Sequence, residues 1–279
     1  MKKKTIVLVT RKLPAAVEAR LLRDFEPRLN AEDRVYNSDE IVALAQGADA
    51  IIPSHTERLS ADVIARLPVS VRAICSFSVG YDHIDLQAAK DRGITVTNTP
   101  DVLSDATAEI ALLLMLGAAR RAHEGTQLIR TATWREWSPT YQLGIQVTGK
   151  RLGIVGMGRV GQVVAERARG FNMQIHYHNR HRLEPDLEKG AIFHDTLEDL
   201  LRRSDFLSIH CPATPDTRHL LNAERIALLP QDAVVVNTAR GAVVDDDALI
   251  AALRSGRLFS AGLDVFNNEP DIDPRYRDR

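Results

Sequence analysis

Short apolar runs alternate along the chain with longer segments in which apolar residues recur at helical spacing. In the first part, apolar runs at residues 5–10, 49–53, 71–77 and 94–99 predict strands, and the segments between them carry a helical pattern. Apolar strands separated by helices indicate a parallel sheet that helices cover on both faces. We therefore predict that residues 1–99 form one α/β domain.

A second series of strands and helices begins near Lys150. Its strands are predicted at residues 152–155, 174–178, 206–210, 233–237 and 259–263, and its helices at residues 159–170, 196–203, 223–229 and 246–254. Asp195, Asn222 and Asp245 stand where helix N-caps are expected, and Gly256 stands where a helix is expected to end. The pattern thus predicts two Rossmann-like or flavodoxin-like α/β domains with parallel sheets, residues 1–99 and 100–279.

A strongly apolar helix is predicted between the two series. Ser104 or Asp105 can cap its start, and Arg120 and Arg121 lie at its end, as the helix dipole prefers. Residues 110–116 are apolar all round, so this helix is expected to be buried. Burial in a core and burial between two subunits both remain open.

Composition and charge exclude several classes of protein. The 279-residue chain is 44% hydrophobic and 26% charged, which is typical of a globular protein, and its formal net charge of −1 argues against nucleic acid or an acidic membrane as a partner. Cys75 and Cys211 are too few for a disulfide framework or a thiolate metal cage. No apolar run reaches the roughly 20 residues that span a bilayer, and the opening run is too short for a signal peptide. A cytoplasmic protein without metal is expected.

A glycine motif opens the second series. Gly156, Gly158 and Gly161 have the spacing G-x-G-x-x-G, which is weak alone but here follows a predicted buried strand and begins a helix. The first glycine permits a tight turn, the second lets a pyrophosphate approach the backbone, and the third lets helix and strand pack closely. The helix N-terminus, which begins at Arg159 and Val160, then supplies N–H donors. We predict a dinucleotide-binding site here.

The stretch HYHNRHR follows the next predicted strand. Asn179 lies where an NAD-binding domain usually has an acidic residue that accepts from the ribose 2′-hydroxyl. A carboxylate would repel a 2′-phosphate, whereas Arg180 and Arg182 beside a neutral Asn179 can bind one. The stretch therefore predicts a preference for NADP(H), with NAD(H) still possible. A metal site and a nucleic-acid patch are weaker interpretations, and a solvated loop without a ligand remains open.

Four longer motifs carry a resemblance to a known family. They are VGYDHIDLQAAKDRGITVTNTP, GKRLGIVGMGRVGQ, VVVNTARGAVVDDDAL and AGLDVFNNEP. With them the chain resembles the D-isomer-specific 2-hydroxyacid dehydrogenases, most closely their glyoxylate/hydroxypyruvate reductase branch. The resemblance implies a nucleotide-binding domain inserted in a substrate domain and reduction of a small 2-oxo acid to the D-2-hydroxy acid. It also implies a homodimer, in which residues 134–144 reach toward the partner subunit.

The resemblance also implies roles for particular residues. The backbone N–H groups of Val79 and Gly80 would hold the substrate carboxylate, and Arg240 would bind that carboxylate and the reacting carbonyl. Glu269 would hydrogen-bond a catalytic histidine, and Asp264 would hold the nicotinamide amide. The positions that match the rest of the cofactor groove are Cys211, Pro212, Thr238 and Ala239. The chemistry favours these residue types, because hydride addition leaves negative charge that a fixed guanidinium stabilises.

One feature departs from the family pattern. The family's catalytic histidine lies beyond the Glu-Pro turn in a Pro-His-x-Gly-Ser pattern, and none of the nine histidines here lies in such a pattern. We therefore expect the chain to be a shortened form that lacks the C-terminal return to the substrate domain. The competing hypothesis is a nucleotide-sensing, non-catalytic protein that resembles the corepressors of this fold, because fold alone does not decide function.

Overall fold

The computed structural model describes residues 4–277, so the outermost ends of the two predicted domains, residues 1–3 and 278–279, lie outside the described residues. The chain divides into two compact units, Met1–Leu103 and Ser104–Arg279. This division lies four residues beyond the boundary that the sequence pattern predicts, because residues 100–103, which precede the apolar helix, belong to the first unit.

The first unit is built on a five-stranded sheet in which every pairing is parallel. The strands are β1 (Ile6–Val9), β2 (Glu26–Arg28), β3 (Ala50–Ile52), β4 (Ala73–Cys75) and β5 (Thr95–Thr97), in the order β2-β1-β3-β4-β5. The helices are α1 (Ala15–Asp24), α2 (Ser38–Leu44), α3 (Ala61–Arg66) and α4 (Leu86–Asp91). Alternation along β1 fills both faces, since Leu8 joins one core cluster while Val7 and Val9 join the other.

The second unit contains a six-stranded parallel sheet. Its strands are β6 (Arg151–Val155), β7 (Gln174–His178), β8 (Ile192–Phe193), β9 (Phe206–Ile209), β10 (Ala233–Asn237) and β11 (Leu258–Leu263), in the order β11-β10-β9-β6-β7-β8. Its helices are α5 (Ser104–Ala119), α6 (Ala122–Arg130), α7 (Arg159–Ala168), α8 (Pro185–Glu188), α9 (Leu197–Arg202), α10 (Ala223–Ile226) and α11 (Asp246–Arg254). The predicted α/β class with parallel sheets is confirmed.

The strand order of the second unit places a switch point beside β6. From β6 the chain adds β7 and β8 on one side, and it then returns to add β9, β10 and β11 on the other side. Ligands of open α/β sheets bind where the strand order reverses, outside the carboxyl ends of the strands. This topology therefore predicts a ligand site at the loops that follow β6 and β9.

Helix ends match the sequence predictions at Asn222, Asp245 and Gly256 but not at the start of α5 or of α9, and Ser104 and Asp105, predicted as caps of the apolar helix, lie inside α5. Asn222 and Asp245 each accept a hydrogen bond from a backbone N–H in the first turn of the helix that follows, and Gly256 follows α11 with a φ of +70°. The prediction for Asp195 is wrong. Thr196 caps α9 instead, because its Oγ1 accepts from the Asp199 N–H at 3.1 Å.

The apolar helix α5 buries one face and exposes part of the other. Ala108, Ala111 and Met115 are fully buried in the core of the second unit, where α5 packs against α7, β10 and β11. Leu113, by contrast, is 64% exposed. One face of this helix is therefore buried in a core, as one interpretation predicted. Burial between two subunits stays a prediction for the exposed face.

Among residues 4–277 no helix is both long enough and apolar enough to cross a membrane. The cytoplasmic location stays a prediction from the sequence.

Candidate functional site

The glycine loop between β6 and α7 has the geometry that its motif predicts. Gly156 has a φ of +93°, and a Cβ there would lie 2.7 Å from the Cys211 backbone nitrogen, so only glycine fits. A Cβ on Gly161 would collide with the Gly156 carbonyl oxygen, so this glycine permits close packing of α7 on the loop. Gly158 differs, because no heavy atom outside its neighbours lies within 4 Å of where its Cβ would stand.

A cavity of about 700 Å³ lies beside this loop at the switch point of the sheet. Its wall includes Gly156, Gly158, Asn179, Arg180, Cys211 and Pro212. Gly158 is also the N-cap of α7. The helix therefore starts next to the cavity, and its first backbone N–H groups are those of Arg159 and Val160. The loop, the cavity and the helix N-terminus together form a site suited to a pyrophosphate.

Asn179 links the loop after β7 to the glycine loop. Its Oδ1 accepts a hydrogen bond from the Met157 N–H at 2.6 Å. Because a backbone N–H can only donate, the bonded atom must be the amide oxygen, and Nδ2 is left as the donor that Asn179 offers. The residue at this position therefore presents a neutral donor where a carboxylate would present an acceptor.

The two arginines of HYHNRHR have different surroundings. Arg180 is exposed and lines the cavity, and no hydrogen bond or ion pair joins its guanidinium to another of residues 4–277. Arg182 is not part of the cavity wall, and its guanidinium makes a two-point ion pair with Glu188, at 2.8 and 3.1 Å. The structure therefore does not support the predicted contact of Arg182 with a phosphate, because a buried carboxylate already binds this side chain.

Two of the three histidines of the same stretch bond to His194, which directly follows β8. His176 Nδ1 lies 2.9 Å from His194 Nε2, and His178 Nδ1 donates to the His194 carbonyl oxygen at 2.9 Å. Burial lowers the pKa of His176 to about 4, so the ring is neutral at neutral pH. In the part of the chain that the structure describes, no group of three His, Cys, Asp or Glu side chains is placed to hold a metal ion.

The predicted groove residues that follow β9 and β10 divide into two groups. Cys211 and Pro212 line the cavity, whereas Thr238 and Ala239 are buried at the end of β10. Burial raises the pKa of the Cys211 thiol to about 11, so Cys211 lines the wall as a neutral group and not as a nucleophile.

His210 is a cavity residue that sequence reasoning missed. Its Nδ1 lies 3.3 Å from Thr238 Oγ1 and its Nε2 lies 2.8 Å from Ser208 Oγ. Burial lowers the pKa of His210 to about 4, so it contributes a neutral ring. The signal that could have identified it is its position directly after a buried strand of the parallel sheet.

Arg240 is held in a turn at the carboxyl edge of β10. Its backbone carbonyl accepts from Asn237 Nδ2 at 3.0 Å, and its own Nη1 donates to the Ala239 carbonyl at 2.8 Å. The next residue, Gly241, packs against the backbone of Phe266 and Asn267, where a Cβ would collide. The sequence did not reveal this close approach, because the two turns are far apart in the chain.

The turn that carries Glu269 therefore lies against the turn that carries Arg240. Glu269 accepts from the Phe266 N–H at 2.5 Å, which fixes the carboxylate at the start of its own turn. Asp264 follows β11 and donates its backbone N–H to the Asn237 carbonyl at 3.0 Å. Because β10 and β11 are parallel neighbours, these residues follow strand ends at one sheet edge.

The predicted carboxylate-binding loop lies in the first unit, after β4. Asn98 Nδ2 donates to the Val79 carbonyl at 2.8 Å, and Ser78 Oγ donates to the Gly80 carbonyl at 2.6 Å. Ser76 Oγ lies 2.7 Å from Ser78 Oγ, which extends this support. The carbonyl oxygens of Val79 and Gly80 are thus engaged, and the backbone N–H groups are the polar atoms that this loop can offer to an anion.

The glycine loop, the cavity at the switch point and the neutral residue after β7 define a dinucleotide-binding α/β protein. Residues 112–277 match the family model described as "D-isomer specific 2-hydroxyacid dehydrogenase, NAD binding domain". The chain belongs to the D-isomer specific 2-hydroxyacid dehydrogenase family. The predicted resemblance is confirmed, and the coenzyme class is a nicotinamide dinucleotide.

Comparison with individual proteins gives the same result. The glycerate dehydrogenase of Hyphomicrobium methylovorum is 45% identical over 280 residues, which cover 100% of this chain and 87% of that protein. The glyoxylate reductase of Pyrococcus horikoshii is 42% identical over 269 residues, covering 95% of this chain and 80% of that protein. The crystal structure of a glyoxylate reductase from Paecilomyes thermophila matches with a TM-score of 0.87 at 35% identity, covering 100% of this chain and 86% of that one.

Proposed function

We propose that this protein reduces a small 2-oxo acid of the glyoxylate or hydroxypyruvate type to the D-2-hydroxy acid, with NADPH as the preferred coenzyme. The observation that carries the proposal is the Arg240 turn, which packs on the Glu269 turn at the carboxyl edge of the sheet that also forms the dinucleotide cavity. The relatives named glycerate dehydrogenase and glyoxylate reductase support this substrate class.

The residues present fit a nicotinamide dinucleotide. Gly158 has space beside it that a Cβ would occupy, which is the place where a pyrophosphate can approach the backbone. Arg159 and Val160 would donate their N–H groups there, and Cys211 and Pro212 would form part of the cavity wall. Asp264 would accept from the carboxamide, and Thr238 with Ala239 would support the same edge. The coenzyme supplies the hydride when bound.

The preference for the phosphorylated coenzyme rests on Asn179 and Arg180. Asn179 offers an amide donor and no negative charge, because its oxygen is engaged by Met157. Arg180 lines the same cavity, and its guanidinium has no ion pair with another of residues 4–277, so binding a phosphate would break no such pair. A charge-assisted contact of this kind is worth about 1.5–3 kcal/mol, so NADPH should be favoured over NADH roughly tenfold to a hundredfold.

The substrate would be held by residues that match the family's motifs. Val79 and Gly80 would donate their N–H groups to the carboxylate, and Arg240 would bind the carboxylate and stabilise negative charge on the carbonyl oxygen. Glu269, fixed by the Phe266 N–H, would orient the catalytic imidazole that the family carries beyond the Glu-Pro turn and raise its pKa. Each of these roles follows the family resemblance at matching positions.

A substrate panel tests the proposal. NADPH oxidation is followed with glyoxylate, hydroxypyruvate and bulkier 2-oxo acids, in the wild type and in Arg240→Ala, each carrying a C-terminal segment with the family's Pro-His-x-Gly-Ser pattern, so that a lack of turnover is not due to a missing proton donor. We expect turnover of the small acids, and a loss of roughly 30–150-fold in kcat/KM for Arg240→Ala, which corresponds to about 2–3 kcal/mol, with NADPH affinity retained. Arg66→Ala, which removes a surface guanidinium paired with Asp39 and Asp62, is the matched control.

Two results would count against this function. Wild-type turnover in Arg240→Ala would remove that residue from the substrate site. Tight NADPH binding by the wild type without turnover of any 2-oxo acid would favour the non-catalytic, nucleotide-sensing alternative, which the enzyme names of the relatives do not favour at present.

We further propose a homodimer. The exposed face of α5 carries Leu113, and the segment that the resemblance directs toward a partner carries Trp134, Trp137 and Leu143, which are 54–76% exposed. Large apolar side chains collected in two segments of one unit are typical of an interaction surface. Sedimentation velocity should show a dimer, and Leu113→Asp should weaken it; a wild-type monomer at micromolar concentration would refute this assembly.

A further inference from the structure

A buried carboxylate lies behind the loop that follows β7. Glu188, the last residue of α8, is 7% exposed and binds the Arg182 guanidinium through both of its oxygens. The Tyr177 hydroxyl donates to Glu188 Oε1 at 2.5 Å. Arg182 and the Tyr177 hydroxyl lower the pKa of Glu188 to about 2, so this carboxylate is ionised at any physiological pH.

The same network fixes the far end of the loop to the core. The Leu183 N–H donates to the Tyr177 hydroxyl at 3.0 Å, and the Tyr177 ring is fully buried in the core of the second unit. Arg169, which follows α7, donates to the Glu188 backbone carbonyl at 3.0 Å. The end of the loop is thus joined both to the sheet and to the helix that begins at the glycine loop.

The near end of the loop is fixed as well. Asn179 is bonded to Met157 of the glycine loop. Between the two fixed ends lie only Arg180 and His181, and both line the cavity. Arg182, Tyr177 and Glu188 are not part of the cavity wall, so any effect that they have on a bound ligand must pass through the loop.

We propose that Tyr177, Arg182 and Glu188 are positioning residues for coenzyme discrimination, which hold the loop so that Arg180 faces the cavity. The inference rests on the proposed preference for NADPH, which it deepens. A loop that is already ordered loses less conformational entropy when its guanidinium binds a phosphate. The net binding free energy of the Arg180–phosphate contact is therefore more favourable when the loop is fixed. NADH has no 2′-phosphate, so its affinity should depend little on whether the loop is fixed.

The test is a double-mutant cycle between Tyr177→Phe and Arg180→Ala, read as dissociation constants for NADPH and NADH from fluorescence titration. Tyr177→Phe keeps the buried ring and removes only the hydroxyl that joins Glu188 to Leu183. We expect it to weaken NADPH binding about threefold to tenfold with NADH binding nearly unchanged. In the Arg180→Ala background the same substitution should leave the NADPH-to-NADH ratio unchanged, since coupled residues are not additive.

Tyr276→Phe is the matched control for a general loss of stability. The Tyr276 hydroxyl also donates to a carboxylate of the second unit, Asp246 at 2.7 Å, but it has no link to the loop after β7. We expect this variant to lower the melting temperature as Tyr177→Phe does and to keep the coenzyme ratio of the wild type. A ratio that moves equally in both tyrosine variants would overturn the positioning role.

The outcomes separate the inference from the function on which it rests. If Arg180→Ala changes the ratio but Tyr177→Phe weakens both coenzymes equally, the NADPH preference stands and the positioning role is overturned. If Arg180→Ala leaves the ratio unchanged, the proposed preference itself fails. Glu188→Gln adds a second check: stronger NADPH binding in that variant would mean that Glu188 withholds Arg182 from the phosphate, which would also overturn the positioning role.

Discussion

Exchange of Asn179 for aspartate, combined with Arg180→Ala, should reverse the coenzyme preference. The introduced carboxylate would keep an oxygen that accepts from the Met157 N–H, because that bond requires only an acceptor. Its second oxygen would replace the Nδ2 donor, so a negative charge would stand where the amide now offers hydrogens. This oxygen could accept from a ribose 2′-hydroxyl but would repel a 2′-phosphate.

The magnitude follows from Coulomb's law and the value of the lost contact. Two like unit charges about 5 Å apart repel by roughly 1–3 kcal/mol at effective dielectric constants between those of a protein surface and water. Loss of the Arg180 contact removes about 1.5–3 kcal/mol more. The two positions are adjacent, so the sum is not strictly additive, but a change of at least about a hundredfold in the NADPH-to-NADH ratio is expected.

The assay compares kcat/KM for the two coenzymes with a saturating 2-oxo acid, in the wild type, both single variants and the double variant. The wild-type preference should shrink as salt is raised, because a phosphate near solvent is screened. Arg182→Met should change the ratio less than Arg180→Ala does, since Arg182 binds Glu188 outside the cavity and can act on the coenzyme only through the position of Arg180. A wild type that uses both coenzymes equally, or a double variant that retains the NADPH preference, would refute this assignment.

Three further predictions follow from the same geometry. Gly158→Val should weaken NADPH and NADH alike while the melting temperature is retained, because its Cβ meets no protein atom yet occupies the approach to the loop; unchanged affinity would argue against a pyrophosphate there. Gly241→Ala should lower kcat more than coenzyme affinity, because a Cβ would push the Arg240 turn away from Phe266; wild-type kcat would contradict this. Stability to urea should fall between about pH 6.5 and about pH 4, because buried His176 and His210 keep pKa values of about 4 when folded and bind protons more readily when unfolded. His176→Gln should reduce this dependence, and an unchanged pH profile would show that His176 does not contribute.

Patterns local in sequence predicted most of the fold. The central strands β1, β3, β6 and β10 are rich in buried apolar residues, so their apolar runs were legible, and the glycine spacing indicated the loop after β6. The edge strands β2 and β8 were missed, because β2 has the sequence EPR without an apolar run and β8 has only two residues. Edge strands owe their place to a neighbour's hydrogen bonds more than to a pattern of their own.

The site was predicted less completely, for a related reason. The pairing of Arg182 with Glu188 depends on a four-residue helix that turns back under the loop, and nothing in HYHNRHR indicates it. The contact of Gly241 with Phe266 joins turns that are separated by a helix and a strand. The residue types in the sequence indicated phosphate-binding and substrate-binding groups. Contacts between distant segments determined which of those side chains are free to bind a ligand, and these contacts could not be predicted from the sequence.

Gly156 packs directly on the backbone of His210 and Cys211, without a side chain between the two loops. Substitution replaces side chains and not backbone atoms. The contact between these two loops therefore allows little change of sequence or shape at this end of the cavity in a protein that still folds. The loop after β7 meets the cavity through Asn179, Arg180 and His181. A change of preference between NADPH and NADH can therefore proceed by replacement of a few residues in the loop after β7. The glycine loop at the other end of the cavity stays the same. Laboratory evolution of coenzyme choice in this protein should accordingly concentrate its libraries on that loop.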